Sequence, residues 1–398
     1  MCKGKDYMKS CIVYLPSVVY LRDWSFFYAD AFDKCGYDVS FIPLLDRENL
    51  LQNVNDALAK KPSFILSIYA ESFDYSSNDK SFYDTLQIPL LAICIDHPSI
   101  DIEKFQTLKS RFVFWGLYDR ADTDYALKYI DSDKNYFYAP NAGFSSSSPL
   151  VPFNERDYDI TFCGSIVDCE ACRKMWDDFK NSHVKAFCEG AVELLLSDDA
   201  KSVSEAIAEV MRSRDYLSFY PKGKTFHFLA KAISFYVRGY RRVALLKQLA
   251  EQGLKIHCFG RKNDFFRLDH PNLVINDFLG TSDYLEVLSR SKIVINTSPM
   301  SRYAATERLL SAMLNGAAVV TDVNDFLVDN FTENENFIGF SHLDYKALGD
   351  KLSQLLGSRD LLADIASSGK EAAEKNHTVM HRAEKLIEVA ETGRQLLM

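Results

Sequence analysis

Apolar residues recur along the first 140 residues as short runs separated by amphipathic stretches. The runs at 10–15, 37–43, 63–69, 89–95, 112–115 and 135–138 have the length of strands. The stretches at 24–35, 49–60 and 119–130 repeat their apolar positions at helical spacing. Residues 90–95 (LLAICI) are apolar throughout instead of alternating. A strand with that pattern is covered on both faces, which is the situation in a parallel sheet. The alternation of strand and helix therefore predicts a doubly wound α/β domain over residues 1–145.

The segment 145–152 (SSSSPLVP) breaks this rhythm and reads as a linker. Strand-like runs resume at 158–163, 255–259, 273–275, 292–296, 317–321 and 336–339. Residues 173–249 carry helical patterns and no clear strand, and three more helical patterns cover 344–356, 360–375 and 379–396. The expectation is a second α/β domain over 146–378 with a helical insertion near 175–250. A C-terminal helix at 379–398 is expected to pack back toward the first domain. The fold class is thus α/β, with two Rossmann-like doubly wound domains facing across a cleft. Ligands of such sheets bind outside the carboxyl ends of the strands. Sugar transferases, some sugar epimerases and two-lobed binding proteins all suit this plan, and fold alone does not choose among them.

Composition narrows the classes. A chain of 398 residues suits two α/β domains, and 47% hydrophobic with 25% charged residues is globular composition. The net charge of −9 argues against a nucleic-acid partner, whose affinity would come from neutralising phosphates. No run of apolar residues is long enough to span a bilayer. The apolar stretch 11–21 contains Pro16 and lacks a small-residue cleavage site, so it reads as a first strand and its loop. Nine scattered cysteines read as reduced thiols of a cytoplasmic protein. Cys169 and Cys172 form a lone C-x-x-C, which is either a zinc or redox pair or two ordinary helix cysteines. There is no H-E-x-x-H, no Cys/His cluster and no D-x-D placed to meet a Mg²⁺-diphosphate, so neither a metal nor a cofactor is expected.

The densest chemistry lies at 291–322, which reads as strand, loop, helix, Gly turn and strand. Thr306 is a plausible N-cap for the helix. A helix N-terminus at the carboxyl end of a parallel strand presents N–H groups and a positive dipole end, which together suit a diphosphate. Arg302 and Arg308 flank that tip, with Tyr303 on the same loop. Glu307 has two readings, a ligand for sugar or ribose hydroxyls or a helix-start acid with Arg308 as its solvated neighbour. Gly164 and Ser165 end the first strand of the second domain, where a small residue lets backbone approach a phosphate. Phe259-Gly260-Arg261 and Phe278-Leu279-Gly280 end two further strands.

In the first domain, Asp96 and His97 end an apolar strand just before Pro98. They read either as a catalytic base pair or as a turn cap beside a structural histidine, with Asp23 and Glu71 as fallback bases. Residues 216–250 contain no acid and seven basic residues interleaved with aromatics. That segment is either a surface for an anionic membrane or phosphorylated acceptor, or a helix pair with its aromatic side in the core.

Residues 291–322 resemble the nucleotide-sugar motif of group 1 glycosyltransferases of the GT-B type, and the branch similar to spore-maturation CgeB proteins in particular. Asn296, Arg308, Ala312, Gly316, Thr321 and Asp322 carry the likeness. Tyr158 to Ser165 followed by Arg173, the run 369–384, CIDHP at 94–98 and PNAGF at 140–144 extend it. The broader pattern has two glutamates eight positions apart, and the matching positions here are Tyr303 and Ser311, with Glu307 offset.

The resemblance implies metal-independent transfer of a sugar from a nucleotide diphosphate to a hydroxyl of a glycan, lipid-linked glycan or protein. The nucleotide sugar is a co-substrate, and no cofactor is needed. Location would be cytoplasmic, with peripheral contact at the inner membrane face through 216–250. The expected donor residues are Gly164, Ser165, Arg173, Arg261, Phe278, Leu279, Arg302, Tyr303, Thr306, Glu307 and Arg308. Asp96 and His97 are the expected catalytic pair. A sugar-nucleotide epimerase on the same fold, and a nucleotide-sugar-binding protein without catalysis, are the rival readings.

Overall fold

The computed structural model describes residues 9–73, 81–213, 223–265, 268–298 and 301–397. The chain forms two compact units, one made of Met1–Asn141 with Val379–Met398, the other of Ala142–Thr378.

The first unit runs β1 (Lys9–Leu15), α1 (Val19–Lys34), β2 (Tyr37–Pro43), α2 (Leu50–Ala59), β3 (Ile65–Ile68), α3 (Phe82–Leu86), β4 (Leu90–Cys94), α4 (Ile102–Thr107), β5 (Val113–Leu117), α5 (Arg120–Tyr129) and β6 (Asn135–Tyr138). Its six strands form one parallel sheet in the order β2-β1-β3-β4-β5-β6. Strands β3, β4 and β5 are buried at every position, which accounts for a sequence in which Ser67 of β3 is the one polar residue. The core on one face gathers Ile12, Ile65, Leu90 and Trp115, with Phe105 stacked on Trp115 at 4.1 Å. The chain leaves β1 toward β2 and returns to β3 on the other side, so the carboxyl ends of β1 and β3 flank the switch point of this sheet.

The second unit runs β7 (Tyr158–Cys163), α6 (Cys169–Asp177), α7 (Ser182–Ser197), α8 (Val203–Ser213), α9 (Lys224–Glu251), β8 (Ile256–Phe259), β9 (Leu273–Asn276), α10 (Thr281–Ser289), β10 (Ser291–Ile295), α11 (Glu307–Leu314), β11 (Ala318–Asp322), α12 (Asp325–Asn330), β12 (Ile338–Phe340), α13 (Tyr345–Gly357) and α14 (Arg359–Asn376). The sheet order is β12-β11-β10-β7-β8-β9, all parallel. Counted from the first strand of the unit this is 3-2-1-4-5-6, the order of dinucleotide-binding sheets, with its switch point between β7 and β10.

The last helix, α15 (Val379–Leu397), belongs to the first unit and packs on α1. Arg382 Nε at its start donates to the carbonyls of Pro140 at 3.1 Å and Asn141 at 3.0 Å.

A helix pair is one of the two readings of 216–250. From Lys224 the chain is one uninterrupted helix of 28 residues, and 216–222 lie outside the described residues. No proline interrupts it, and Gly239 is tolerated mid-helix because α9 presses there on Val167, whose carbonyl oxygen would stand 2.3 Å from a Cβ. Cys169 and Cys172 are both buried in α6, and burial pushes the Cys172 thiol up to about 11, so it stays protonated near neutral pH. Among the described residues, no group of three His, Cys, Asp or Glu could hold a metal ion, and no helix is long and apolar enough to cross a membrane.

Candidate functional site

At the switch point of the second unit, β7 ends into Gly164 and Ser165, and β10 ends into Asn296, Thr297 and Ser298. Thr306 caps α11, its hydroxyl accepting the Leu309 N–H at 3.3 Å and donating to Asn296 Oδ1 at 2.8 Å. Asn296 is fully buried, and its amide nitrogen donates to Ser298 Oγ at 3.1 Å and Thr321 Oγ1 at 3.0 Å. One side chain at a strand end thus fixes both the following loop and the tip of the helix. The tip brings the positive end of the helix dipole to the switch point.

Two guanidinium groups add to that charge. Arg308 in the first turn of α11 has its guanidinium carbon 5.9 Å from the Phe162 ring centre, and its Nη1 lies 3.5 Å from Asn296 Oδ1. Arg242, from the middle of α9, sits 5.9 Å from the same ring. It donates from Nη1 to the Ser165 carbonyl at 2.8 Å and from Nε to Thr297 Oγ1 at 3.0 Å, so it ties together the loops after β7 and β10. Sequence reading placed Arg242 among the basic residues of 216–250 and missed its role here. The signal was available: Arg242 falls on the same helical face as the buried Leu245, Leu246 and Leu249, an improbable place for a charge without a purpose.

Glu307 is half-buried beside Arg308. Its carboxylate accepts the Ser311 hydroxyl one turn along α11 and lies 3.5 Å from the hydroxyl of Tyr284 on α10. Burial pushes its pKa up to about 7, against the lowering effects of Ser311, Arg308 and Tyr284. The carboxyl group is therefore poised between its two charge states near neutrality. Glu307 also reaches the position, Ser311, at which the related motif carries its second glutamate.

The remaining expected residues are dispersed. Arg302 and Tyr303 lie on the loop before α11. Arg302 Nε pairs with Asp325 at 2.8 Å and its Nη1 with Glu205 of α8, so its charge is directed at protein carboxylates. Arg173 lies on α6, pairing with Asp177 at 3.5 Å and with Glu189 of α7 at 3.6 Å. Arg261 follows β8 and is exposed. Phe278 and Leu279 follow the edge strand β9, and Phe278 is 57% exposed.

In the first unit, Asp96 and His97 follow β4. Asp96 is half-buried. His97 is buried, with Nδ1 2.7 Å from Ser99 Oγ, Nε2 3.6 Å from Asp122 Oδ1 and its ring edge-on to Tyr125. Glu71 sits nearer the switch point of that sheet, just beyond β3, where Tyr69 and Ala70 both adopt positive φ. Its carboxylate accepts the Ser17 N–H at 2.5 Å and the Ser17 hydroxyl. Asp23 lies on α1.

Residues 241–388 match the model of a family described as glycosyl transferase-like. The match opens on α9 at Arg241 and Arg242 and takes in the whole of α11. An alpha-glucosyltransferase solved with UDP and a 13-mer DNA containing an HMU base has a TM-score of 0.54 at 14% identity, over 97% of this chain and 100% of that one. The architecture is that of the GT-B glycosyltransferases. A glycosyltransferase from Rickettsia africae is similar with a TM-score of 0.53 at 11% identity, covering 97% of this chain and 99% of that chain. Anabaena HepE in complex with UDP-glucose has a TM-score of 0.50 at 10% identity, covering 96% and 99%. No curated protein sequence matches the chain.

Proposed function

We propose that this GT-B chain is a glycosyltransferase that moves a sugar, a hexose being favoured, from a nucleotide diphosphate to an acceptor hydroxyl. The observation that carries this reading is the meeting of the α11 tip, Gly164, Arg308 and Arg242 at one switch point. A diphosphate placed there would meet a helix N-terminus and two guanidinium groups, the charge needed to stabilise a departing nucleotide without a metal. The motif match over 241–388 and the UDP and UDP-glucose bound by similar structures support the same donor class. The residue pattern at 291–322 further suggests the CgeB-like branch.

Thr306, Arg308, Gly164 and Ser165 would hold the diphosphate, and Glu307 would accept a donor hydroxyl. The loops carrying Arg261, Phe278 and Leu279, on the β8 and β9 side, would frame the base. Asp96 is the proposed base toward the acceptor, with Glu71 as its competitor. A chain of net charge −9 is better suited to a glycan, lipid-linked glycan or protein acceptor than to the DNA seen with one similar enzyme. The basic and aromatic positions 224, 228, 231, 235 and 238 recur along α9 at helical spacing and favour peripheral contact with an anionic membrane. Buried free thiols at Cys11, Cys94, Cys163, Cys188 and Cys258 suit the cytoplasm.

A thermal-shift panel of UDP, GDP, dTDP and CMP tests the donor site, because a ligand of the native state raises stability by mass action. Incubation of the corresponding nucleotide sugar with and without acceptor mixtures then separates the activities. Transfer only with acceptor supports the proposal. Isomerisation of the donor alone would make the chain an epimerase, and binding with no turnover would make it a non-catalytic binder. Failure of every nucleotide to stabilise the chain would remove the donor site.

A further inference from the structure

Beyond the residues that would touch a donor, the second unit contains a buried relay of polar side chains ending on the loop after β10. Asp322 closes β11 with its side chain buried. Its Oδ1 accepts the Ser298 N–H at 2.7 Å and the Thr321 hydroxyl at 3.1 Å, and its Oδ2 lies 3.1 Å from His342 Nε2. His342, just beyond β12, is buried too, with Nδ1 2.8 Å from the Tyr345 hydroxyl on α13. Its own N–H donates to Asp199 Oδ2 at 2.8 Å, and Asp199 pairs through Oδ1 with Arg241 Nη2 at 3.1 Å. Arg241 immediately precedes the Arg242 that bonds the Ser165 carbonyl and Thr297. The relay therefore runs from the α7–α8 connection to the loop after β10.

A buried carboxylate persists only when its charge is matched and its oxygens are bonded. Here His342 Nε2 satisfies Oδ2, which leaves Oδ1 to accept a backbone N–H of the loop. We propose that His342 is a positioning residue for donor binding: through Asp322 it clamps the Ser298 amide and so holds the loop 296–298 in the shape that receives the nucleotide diphosphate. This rests on the donor site proposed above, but its claim about the loop is separable. Without His342, Asp322 must protonate or draw in water, and either change weakens its hold on Ser298.

The experiment compares the full-length wild type with His342→Ala and His342→Gln. A glutamine amide places an N–H near the position of Nε2. Calorimetric titration with UDP, GDP and dTDP identifies the diphosphate that the wild type binds best. Affinity for it should fall about tenfold or more in His342→Ala, the loss typical of a hydrogen bond to a charged group. Donor KM should rise more than kcat falls, and His342→Gln should recover most of the loss. Amide exchange at Ser298 should accelerate in the alanine variant and not in the glutamine variant. Should His342→Ala fail to fold, Tyr345→Phe removes only the hydroxyl behind Nδ1 and should weaken binding by about threefold. A folded alanine variant with wild-type affinity and unchanged Ser298 exchange overturns the proposal, as does a glutamine variant no better than alanine. A wild type that binds none of the three diphosphates would instead sink the donor site, and Ser298 exchange would then decide the loop claim alone.

Discussion

A Cβ on Gly164 would stand 2.9 Å from Arg308 Nη2, so the glycine at the end of β7 leaves the room that this guanidinium occupies. The two positions are 144 residues apart in sequence and meet only because β7 and β10 are neighbours in the sheet. Gly164→Ala should displace the guanidinium and lower donor kcat/KM by about tenfold, a loss of about 1.4 kcal/mol. The double variant Gly164→Ala, Arg308→Ala should be no worse than Arg308→Ala alone, because both changes remove one interaction. Steady-state kinetics of the four proteins would show it; strictly additive losses would mean that the glycine serves another purpose.

The arginines should sort by their partners. Arg308→Ala is expected to lose roughly 2–4 kcal/mol of transition-state stabilisation in kcat/KM, the scale for a preorganised charge donor. Arg242→Ala should lose activity in the same direction and also destabilise the fold, since Arg242 ties Ser165 to Thr297. Arg302→Ala should change kcat/KM by less than about 1 kcal/mol, as its bonds go to Asp325 and to Glu205 at a partly exposed site. A large kinetic loss at Arg302 with none at Arg308 would reverse the assignment.

What was legible in the sequence follows the physics of each feature. The twelve strands among the described residues were legible as short apolar runs, most plainly where burial on both faces forces them, as at 90–94 and 318–320. The N-cap at Thr306 was legible because it is local, needing only a hydroxyl before the helix. The short helices α3 and α4 were not, since five or six residues cannot display a helical period. The partners of Arg242 and the Asp322–His342 pair were hidden for a different reason. Their meaning lies in contacts across β7, β10, β11 and β12, and no local pattern encodes which strands become neighbours. Arg302 shows the converse, a well-placed charge whose partners, Glu205 and Asp325, come from elsewhere in the chain.

Asp322 gives the acid limb of stability a specific source. Burial alone would raise its pKa, but the hydrogen bond and charge of His342, with the Ser298 N–H, outweigh it and hold the carboxyl below its ordinary value of 3.8. A depressed carboxyl contributes stability that is present above its unfolded value and lost as pH falls through the folded one. Asp322→Asn should therefore be less stable than wild type near neutral pH, with the gap narrowing once pH drops below 3.8. Denaturant titrations across that window check it. A gap that stays constant down to the acid transition would show that the charge of Asp322 contributes nothing.

Glu307 carries the opposite sign. Its folded value of about 7 lies above the ordinary 4.5, so stability is complete below 4.5, declines as pH rises toward 7 and then levels off. The decline is on the order of 3 kcal/mol at most, and Glu307→Gln should abolish it. The same group should respond to a donor. A diphosphate at the α11 tip adds negative charge beside the carboxyl and draws Arg308, one of the groups now holding its pKa down, toward the phosphates. Both effects favour the protonated form, so nucleotide binding near pH 7 should take up protons. Calorimetry in two buffers of different ionisation heat would detect the uptake as a buffer-dependent enthalpy, present in wild type and absent in Glu307→Gln. If both proteins bind the nucleotide with the same heat in both buffers, the carboxyl of Glu307 is not coupled to the ligand and lies outside its electrostatic reach.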